Sequence, residues 1–283
     1  MKPSYEIGAV IPVYNSERSI DEVVRRFFAF TDSAGISCRV VLVDDQSTDQ
    51  SAEVIDRMAL ADERILAVHL AQNSGQQAAL LCGLTFAAEN CRYLLTMDDD
   101  LQHPAWTAGQ LYTKIQEDYD LVYAVAYGEE RPLYRKAGSL LRDLLFSLCT
   151  AKPRGIRVSS FRIMTRELTQ KICAEHQQFV YLSASAFRYA PKSANLYYCQ
   201  QKRIYGTSGY TFRKLAGIYW KLFRYYTALG ALFCPSRQNE PYQIASIVER
   251  RGRFEQTNDS RRFQLPKECP DCRACAGASN NFD

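Results

Sequence analysis

Over its first 126 residues the chain repeats one pattern: a short apolar run, a polar or acidic end, then a segment with helix-spaced apolar residues. The apolar runs are Ile7 to Val13, Cys38 to Val43, Ile65 to Leu70, Tyr93 to Met97 and Asp120 to Ala126. Between them lie Ser16 to Phe30, Asp49 to Leu60, Gly75 to Ala88 and Pro104 to Ile115. The first of these carries Ile20, Val23, Val24, Phe27 and Phe28 on one helical stripe. Strands that are apolar almost throughout need cover on both faces, and single helices between them supply it. The pattern therefore predicts an α/β fold with a mostly parallel sheet and helices on both faces.

The polar ends matter more than the strands. The first run ends in Pro12-Val13-Tyr14-Asn15-Ser16-Glu17, the second in Val43-Asp44-Asp45-Gln46-Ser47-Thr48-Asp49, and the fourth in Met97-Asp98-Asp99-Asp100-Leu101-Gln102-His103-Pro104. Carboxyl ends of parallel strands share one edge of the sheet, so Asn15, Glu17, Asp44, Asp45 and Asp98 to Asp100 are expected to converge on one crevice. Ser47 and Asp49 alone would pass for helix caps. Three polar or acidic ends on one edge exceed what capping requires. Like charges are costly to gather unless something positive sits among them, and carboxylate oxygens suit a hard cation such as Mg²⁺ or Mn²⁺.

The 283 residues are 47% hydrophobic and 23% charged, with a net charge of +4, so nothing in the balance demands nucleic acid as a partner. Met1 to Glu6 lead into the first strand with no apolar segment of signal-peptide length, which predicts a cytoplasmic chain. Of the ten cysteines, Cys38, Cys82, Cys91, Cys149, Cys173 and Cys199 lie singly within apolar patterns and read as buried thiols. Cys269, Cys272 and Cys275 have a CxxCxxC spacing without the fourth ligand of a closed zinc site. Beyond Gly128, Pro132 to Thr150 and Tyr210 to Phe233 mix basic residues with Leu and aromatic side chains. The second reads as an amphipathic helix at a membrane surface, too often broken by charge to cross. Three units are expected: a sheet domain over 1–209, that helix over 210–233, and a poorly structured tail over 234–283.

The motifs PVYNSE (12–17), VDDQSTD (43–49), NSGQQAALLCGL (73–84), DDDLQHP (98–104), SSFR (159–162) and RIYGTSGY (203–210) resemble those of inverting family 2 glycosyltransferases with the GT-A fold. Their order is that of the polyprenyl-phosphate branch, which includes dolichyl-phosphate mannose synthase and bacterial undecaprenyl-phosphate sugar transferases. The resemblance implies transfer from a nucleotide sugar to a polyprenyl phosphate, with Mg²⁺ or Mn²⁺, at the cytoplasmic face of a membrane. It places Pro12, Tyr14, Glu17, Asp44, Asp45, Gly75, Gln76, Asp98 and Asp99 around the nucleotide. Asp98, Asp100 and Gln102 would meet the metal diphosphate, and Asp98, Asp100 and Arg203 would carry the reaction. Arg131, Arg135 and the neighbouring Arg142, with Ser160, Arg162 and Ser208, would face the acceptor or its phosphate.

Two departures stand out: Gln46 occupies a position where many members have Gly, and Glu17 comes one residue later than the acid of PVYNEE. An alcohol or saccharide acceptor would need a carboxylate as base, whereas a lipid phosphate is already ionised. Transfer to a hydroxyl compound, and nucleotide-sugar or membrane binding without catalysis, are the alternatives.

Overall fold

The computed structural model describes residues 4–127, 150, 152–175, 179–201, 212–227, 241–256 and 263–264. The strands are β1 (Tyr5–Val13), β2 (Cys38–Asp44), β3 (Ile65–Leu70), β4 (Cys91–Thr96), β5 (Leu121–Ala126), β6 (Arg162–Thr165), β7 (Ser193–Tyr198), β8 (Ile244–Glu249), β9 (Gly252–Gln256) and β10 (Phe263–Gln264). The helices are α1 (Ile20–Ser33), α2 (Ser51–Ala61), α3 (Gln76–Asn90), α4 (Ala105–Ile115), α5 (Arg166–Cys173), α6 (Leu182–Tyr189) and α7 (Phe212–Tyr226). All the strands join one sheet in the order β10-β9-β8-β3-β2-β1-β4-β6-β5-β7.

Strands β3, β2, β1 and β4 run parallel, as the alternation predicts, and so do β5 and β7. Antiparallel pairing enters where β6 inserts between β4 and β5, and where β8 extends the sheet beyond β3. Successive β1 residues feed opposite layers. Ile7, Ala9, Ile11 and Val13 pack with Ile20, Phe27 and Leu111 of α1 and α4, while Val10 packs with Leu80, Leu84 and Leu168 of α3 and α5. Gly83 lets α3 lie directly on the sheet, since a Cβ there would stand 2.4 Å from Val10 Cγ1 and 2.9 Å from Val43 Cγ2.

Two expectations need correction. The tail predicted from residue 234 contains strands β8, β9 and β10, with Ile247 and Val248 buried and β8 paired to β3. Its apolar run is short and borders Glu249, Arg250 and Arg251, so periodicity alone does not mark it; pairing with an open strand edge orders it. Cys199 is exposed, although Cys38, Cys82 and Cys91 are buried thiols. Cys149, Cys269, Cys272 and Cys275 lie outside the described residues. Among the described residues no helix is long and apolar enough to cross a membrane.

Candidate functional site: a cleft at the strand ends

The site forms where β1, β2 and β4 end together. Val13 pairs with Asp44 and Val10 with Thr96, so Tyr14, Asp45 and Met97 all emerge on one sheet edge. Here the backbone leaves its usual wells: Asn15 (φ 54°), Gln46 (φ 60°) and Leu101 (φ 63°) take the left-handed conformation, one after each strand. Each such non-glycine residue costs about 1–2 kcal/mol, and clustering at one edge marks a shape that the surroundings enforce.

Hydrogen bonds knit these loops together. Ser16 Oγ and the Tyr14 amide both donate to Asp99 Oδ2, joining the β1 loop to the acidic loop. The Thr48 amide donates to Asn15 Oδ1 (2.8 Å), and Asn15 N donates to Ser47 Oγ (3.1 Å). Asp45 accepts from the amides of Ser74 (2.6 Å) and Gly75 (2.9 Å), just ahead of α3. Gln46 bridges to the β3–α3 loop by donating to the Ala71 carbonyl and accepting from the Asn73 amide.

The acidic triplet divides its work. Asp98 accepts from Gln76 Nε2 (2.8 Å) at Oδ1 and from Ser160 Oγ (2.7 Å) at Oδ2. Asp99 turns the other way and lines the cleft. Asp100 Oδ1 accepts from the Gln102 amide (3.1 Å), closing the turn at Leu101. His103 supports the loop from beneath: its Nδ1 accepts from the Asp98 amide (3.1 Å), and its ring stacks on Phe161 with centroids 4.4 Å apart. Because Nδ1 is an acceptor the imidazole is neutral, and burial pushes its pKa down in the same sense.

Burial separates the carboxylates electrostatically. Asp99 is pushed up to about 6 chiefly by burial, with Asp98 and Asp100 adding like-charge repulsion against the Ser16 hydrogen bond. Asp45 is raised too, by burial against the pull of the Ser74 and Gly75 amides. For Asp44 burial acts upward, but hydrogen bonds from His69 and Ser47 prevail and leave it below the usual carboxylate value. His69 stands between Asp44 (3.4 Å) and Asp56 (2.7 Å), and Arg253 of β9 closes on Asp56 from outside. Burial works against a charged imidazole there, yet the two carboxylates outweigh it and raise His69 to about 9.

The cleft has a volume of about 730 Å³, with Pro12, Tyr14, Asp45, Gly75, Gln76 and Asp99 on its strand-end side. Phe179, Val180 and Pro241 line it as well, together with Gly217 and Lys221 of α7. Most of the nucleotide-side residues expected from sequence therefore meet in one place, and Ser160 and Asp98 are directly bonded. Glu17 does not line the cleft: its carboxylate accepts from the Gln50 amide (3.0 Å) ahead of α2, and Ser16 stands where PVYNEE has its first acid. Arg162 is only 2% exposed and donates to Ser183 Oγ (2.6 Å), beneath the site rather than in it. Arg131, Arg135, Arg142, Arg203 and Ser208 lie outside the described residues. Sequence reasoning missed Lys221, assigned to a membrane-facing helix, and His69, whose two carboxylate partners lie 25 and 13 residues away along the chain.

Among the described residues no three His, Cys, Asp or Glu side chains form a closed metal site. Asp98 and Asp100 lie two residues apart on one loop and, with the Gln102 side-chain carbonyl, offer oxygen donors only. That suits a Mg²⁺-like cation, which takes one or two carboxylates and completes its shell with phosphate oxygens and water.

A family model described as Glycosyl transferase family 2 matches residues 9–182. The undecaprenyl-phosphate 4-deoxy-4-formamido-L-arabinose transferases of Salmonella dublin and Salmonella gallinarum are each 29% identical over 221 residues, spanning 78% of this chain and 67% of theirs. Among solved structures, mannosyl-3-phosphoglycerate synthase from Rubrobacter xylanophilus aligns with a TM-score of 0.56 at 16% identity, over 92% of this chain and 86% of its own. Glucosyl-3-phosphoglycerate synthase from Mycobacterium tuberculosis, in complex with Mn²⁺, UDP and phosphoglyceric acid, aligns at 0.51 and 19%, over 78% and 76%. At these identities the two structures share the fold with this chain.

Proposed function

The chain belongs to glycosyl transferase family 2, and from that premise we propose that it moves a sugar from a nucleoside diphosphate sugar to a polyprenyl phosphate, inverting the anomeric carbon. The observation that carries this reading is the join between the strand-end cleft and the acidic loop, in a chain whose curated relatives act on undecaprenyl phosphate. Asp45, fixed by the Ser74 and Gly75 amides, faces the base or ribose, while Asp44, buried against Ser47 and His69 and absent from the cleft lining, supports that loop from behind. Tyr14 and Pro12 border the base, and Gln76 and Ser160 orient Asp98 toward the diphosphate.

As the glycosidic bond breaks, positive charge grows at the anomeric carbon and negative charge on the leaving diphosphate. A Mg²⁺ or Mn²⁺ held by Asp100, Asp98 and Gln102 would supply Lewis-acid stabilisation of that leaving group. Arg203 would add a charge-assisted contact. A phosphate acceptor is largely ionised near neutral pH, with a second pKa of about 6. No carboxylate has to remove a proton from it, and the described carboxylates of the cleft are all held by hydrogen bonds in positioning roles. A lipid acceptor would bring the reaction to a membrane surface, and the reading puts it on the cytoplasmic side.

The test supplies the purified full chain with Mn²⁺, undecaprenyl phosphate and UDP-, GDP- or dTDP-sugars. An acid-labile lipid-linked phosphosugar is the expected product. Transfer to a soluble glycan instead would reject the lipid acceptor, and failure to bind any donor would reject the enzyme.

A further inference from the structure

Helix α7 is amphipathic, but its two faces are not simply protein and surroundings. Leu222 is 1% exposed, and Tyr226 Oη accepts from the Tyr181 amide (3.0 Å) and lies 2.9 Å from Ser185 Oγ. The Tyr226 ring also carries the Arg188 guanidinium 4.6 Å above it. These contacts fasten α7 to the segment entering α6. That segment is tied to α3 in turn, because the Leu182 amide donates to Gln77 Oε1 (3.0 Å). The position of α7 is thus set relative to Gly75 and Gln76, across the cleft from it.

Gly217 and Lys221 are four residues apart, on one face of the helix, and both line the cleft. Gly217 is interior to a 15-residue helix, where glycine costs about 0.5–1 kcal/mol relative to alanine. Among the described residues neither packing nor backbone explains it: a Cβ there would meet nothing within 4 Å, and Gly217 does not have a positive φ. A missing side chain on a cleft wall leaves room for close approach of a ligand. Lys221 is the one cation among the described residues lining the cleft, whose carboxylates are Asp45 and Asp99. Its ammonium lies 5.5 Å from the centre of the Phe179 ring, another lining residue.

A nucleoside diphosphate needs positive charge where its phosphates lie. The start of α3 would ordinarily provide it, as helix N-termini do. Here the Ser74 and Gly75 amides just ahead of α3 donate to Asp45, which sets a negative charge beside that N-terminus. A cation on the opposite wall would add to the charge that the metal and Arg203 supply. We propose that α7 is the phosphate-contacting wall of the nucleotide cleft, with Lys221 touching the donor diphosphate and Gly217 leaving room for it. This rests on the donor reading of the cleft. It adds a binding residue and gives α7 a role besides any contact with a membrane. The acceptor also carries phosphate, but Lys221 shares its cleft with Pro12, Tyr14 and Asp45 at the β1 and β2 ends, which places it on the donor side.

Calorimetric titration of the full chain with UDP, GDP and dTDP in Mn²⁺, beside uridine, guanosine and thymidine, tests the assignment. For the diphosphate that the wild type binds, Lys221→Gln is expected to raise Kd about tenfold, with the matching nucleoside unaffected and Lys221→Arg recovering most of the loss. Gly217→Leu should weaken the diphosphate at least as much without lowering Tm, because leucine is the better helix former. An unchanged diphosphate Kd in Lys221→Gln overturns the proposal. So does an unchanged Kd with a raised KM for undecaprenyl phosphate, which would give the cation to the acceptor. If the wild type binds none of the three diphosphates, the donor reading itself falls.

Discussion

The two walls of the cleft are built on different principles. The strand-end wall is local: each loop follows its own strand, and Tyr14, Asp45 and Asp99 reach the cleft because β1, β2 and β4 are neighbours in the sheet. The opposite wall is assembled from distant pieces, with Phe179 and Val180 before α6, Gly217 and Lys221 on α7, and Pro241 before β8. Acidic, strained loops face a wall whose described charge is a single lysine. The strand-end wall sets chemistry through fixed carboxylates, and the opposite wall sets binding through placement.

That contrast predicts where turnover and affinity separate. The largest effect is expected from Asp100→Ala, on the strand-end wall. Removing a carboxylate that helps to stabilise the leaving diphosphate should lower kcat by about 10²–10³-fold, comparable to losing an oxyanion-hole donor. Stability should change little, because Asp100 is half-buried in a surface turn. Steady-state kinetics beside a melting curve checks this, and near-normal kcat in a folded variant would remove Asp100 from the reaction.

The next effect concerns the link between the strand ends and the C-terminal strands. His69 ties Asp44 to Asp56, and Arg253 of β9 secures Asp56. Its pKa is raised from 6.5 to about 9 on folding, so its charged form stabilises the fold fully below about pH 6.5. That contribution fades as pH climbs through 9. Asp44 behaves in the opposite sense: its pKa is lowered from 3.8, so its contribution is present above that value and lost in acid. His69→Gln should lower Tm at pH 6 by several degrees, since removing one partner of a buried ion pair strands the others at a cost of about 3–5 kcal/mol. The variant's Tm should also fall less than the wild type's between pH 6.5 and 9. Parallel curves for the two proteins would show that His69 does not carry the charge.

Legibility in the sequence follows the same division. The alternation of strand and helix announced the parallel sheet, and the acids after β1, β2 and β4 announced the crevice, because both signals are written within a few consecutive residues. Lys221 carried no such signal. In a segment holding Arg213, Lys214, Lys221 and Arg224 nothing local separates a cleft residue from a surface one. Only the anchoring of Leu222 and Tyr226 decides which face turns inward. Strand β8 was hidden likewise, since the open edge of β3 that recruits it lies some 180 residues earlier. The loss of the first acid of PVYNEE is visible at Ser16, but the bond of Glu17 to Gln50 depends on how closely the β1 and β2 loops approach.

A smaller effect tests the assembled wall. Tyr226→Phe removes the hydroxyl that receives the Tyr181 amide and contacts Ser185, leaving a partly buried N–H unpaired at a cost of about 1–2 kcal/mol. If α7 owes its position to that bond, the Kd for nucleoside diphosphate should rise a few-fold while kcat at saturating donor is retained. A fall in kcat with unchanged affinity would reverse the assignment of binding to this wall and chemistry to the other.

The smallest effect is expected at Gln46. Its φ of 60° costs about 1–2 kcal/mol, which Gly would relieve. Its side chain also holds the β3–α3 loop, donating to the Ala71 carbonyl (3.3 Å) and accepting from the Asn73 amide (3.0 Å), exposed bonds worth about 0.5–1 kcal/mol each. Gly adds conformational freedom to the unfolded chain as well, opposing the relief by about 0.5–1 kcal/mol. These contributions nearly cancel, so Gln46→Gly should shift Tm by only a few degrees in either direction. Donor affinity should fall two- to three-fold all the same, because the Ser74 and Gly75 amides that orient Asp45 belong to the loop that Gln46 restrains. A clear gain in Tm with unchanged affinity would identify Gln46 as a strained substitute for glycine, with Asp45 and Asn73 sufficient to hold the loop.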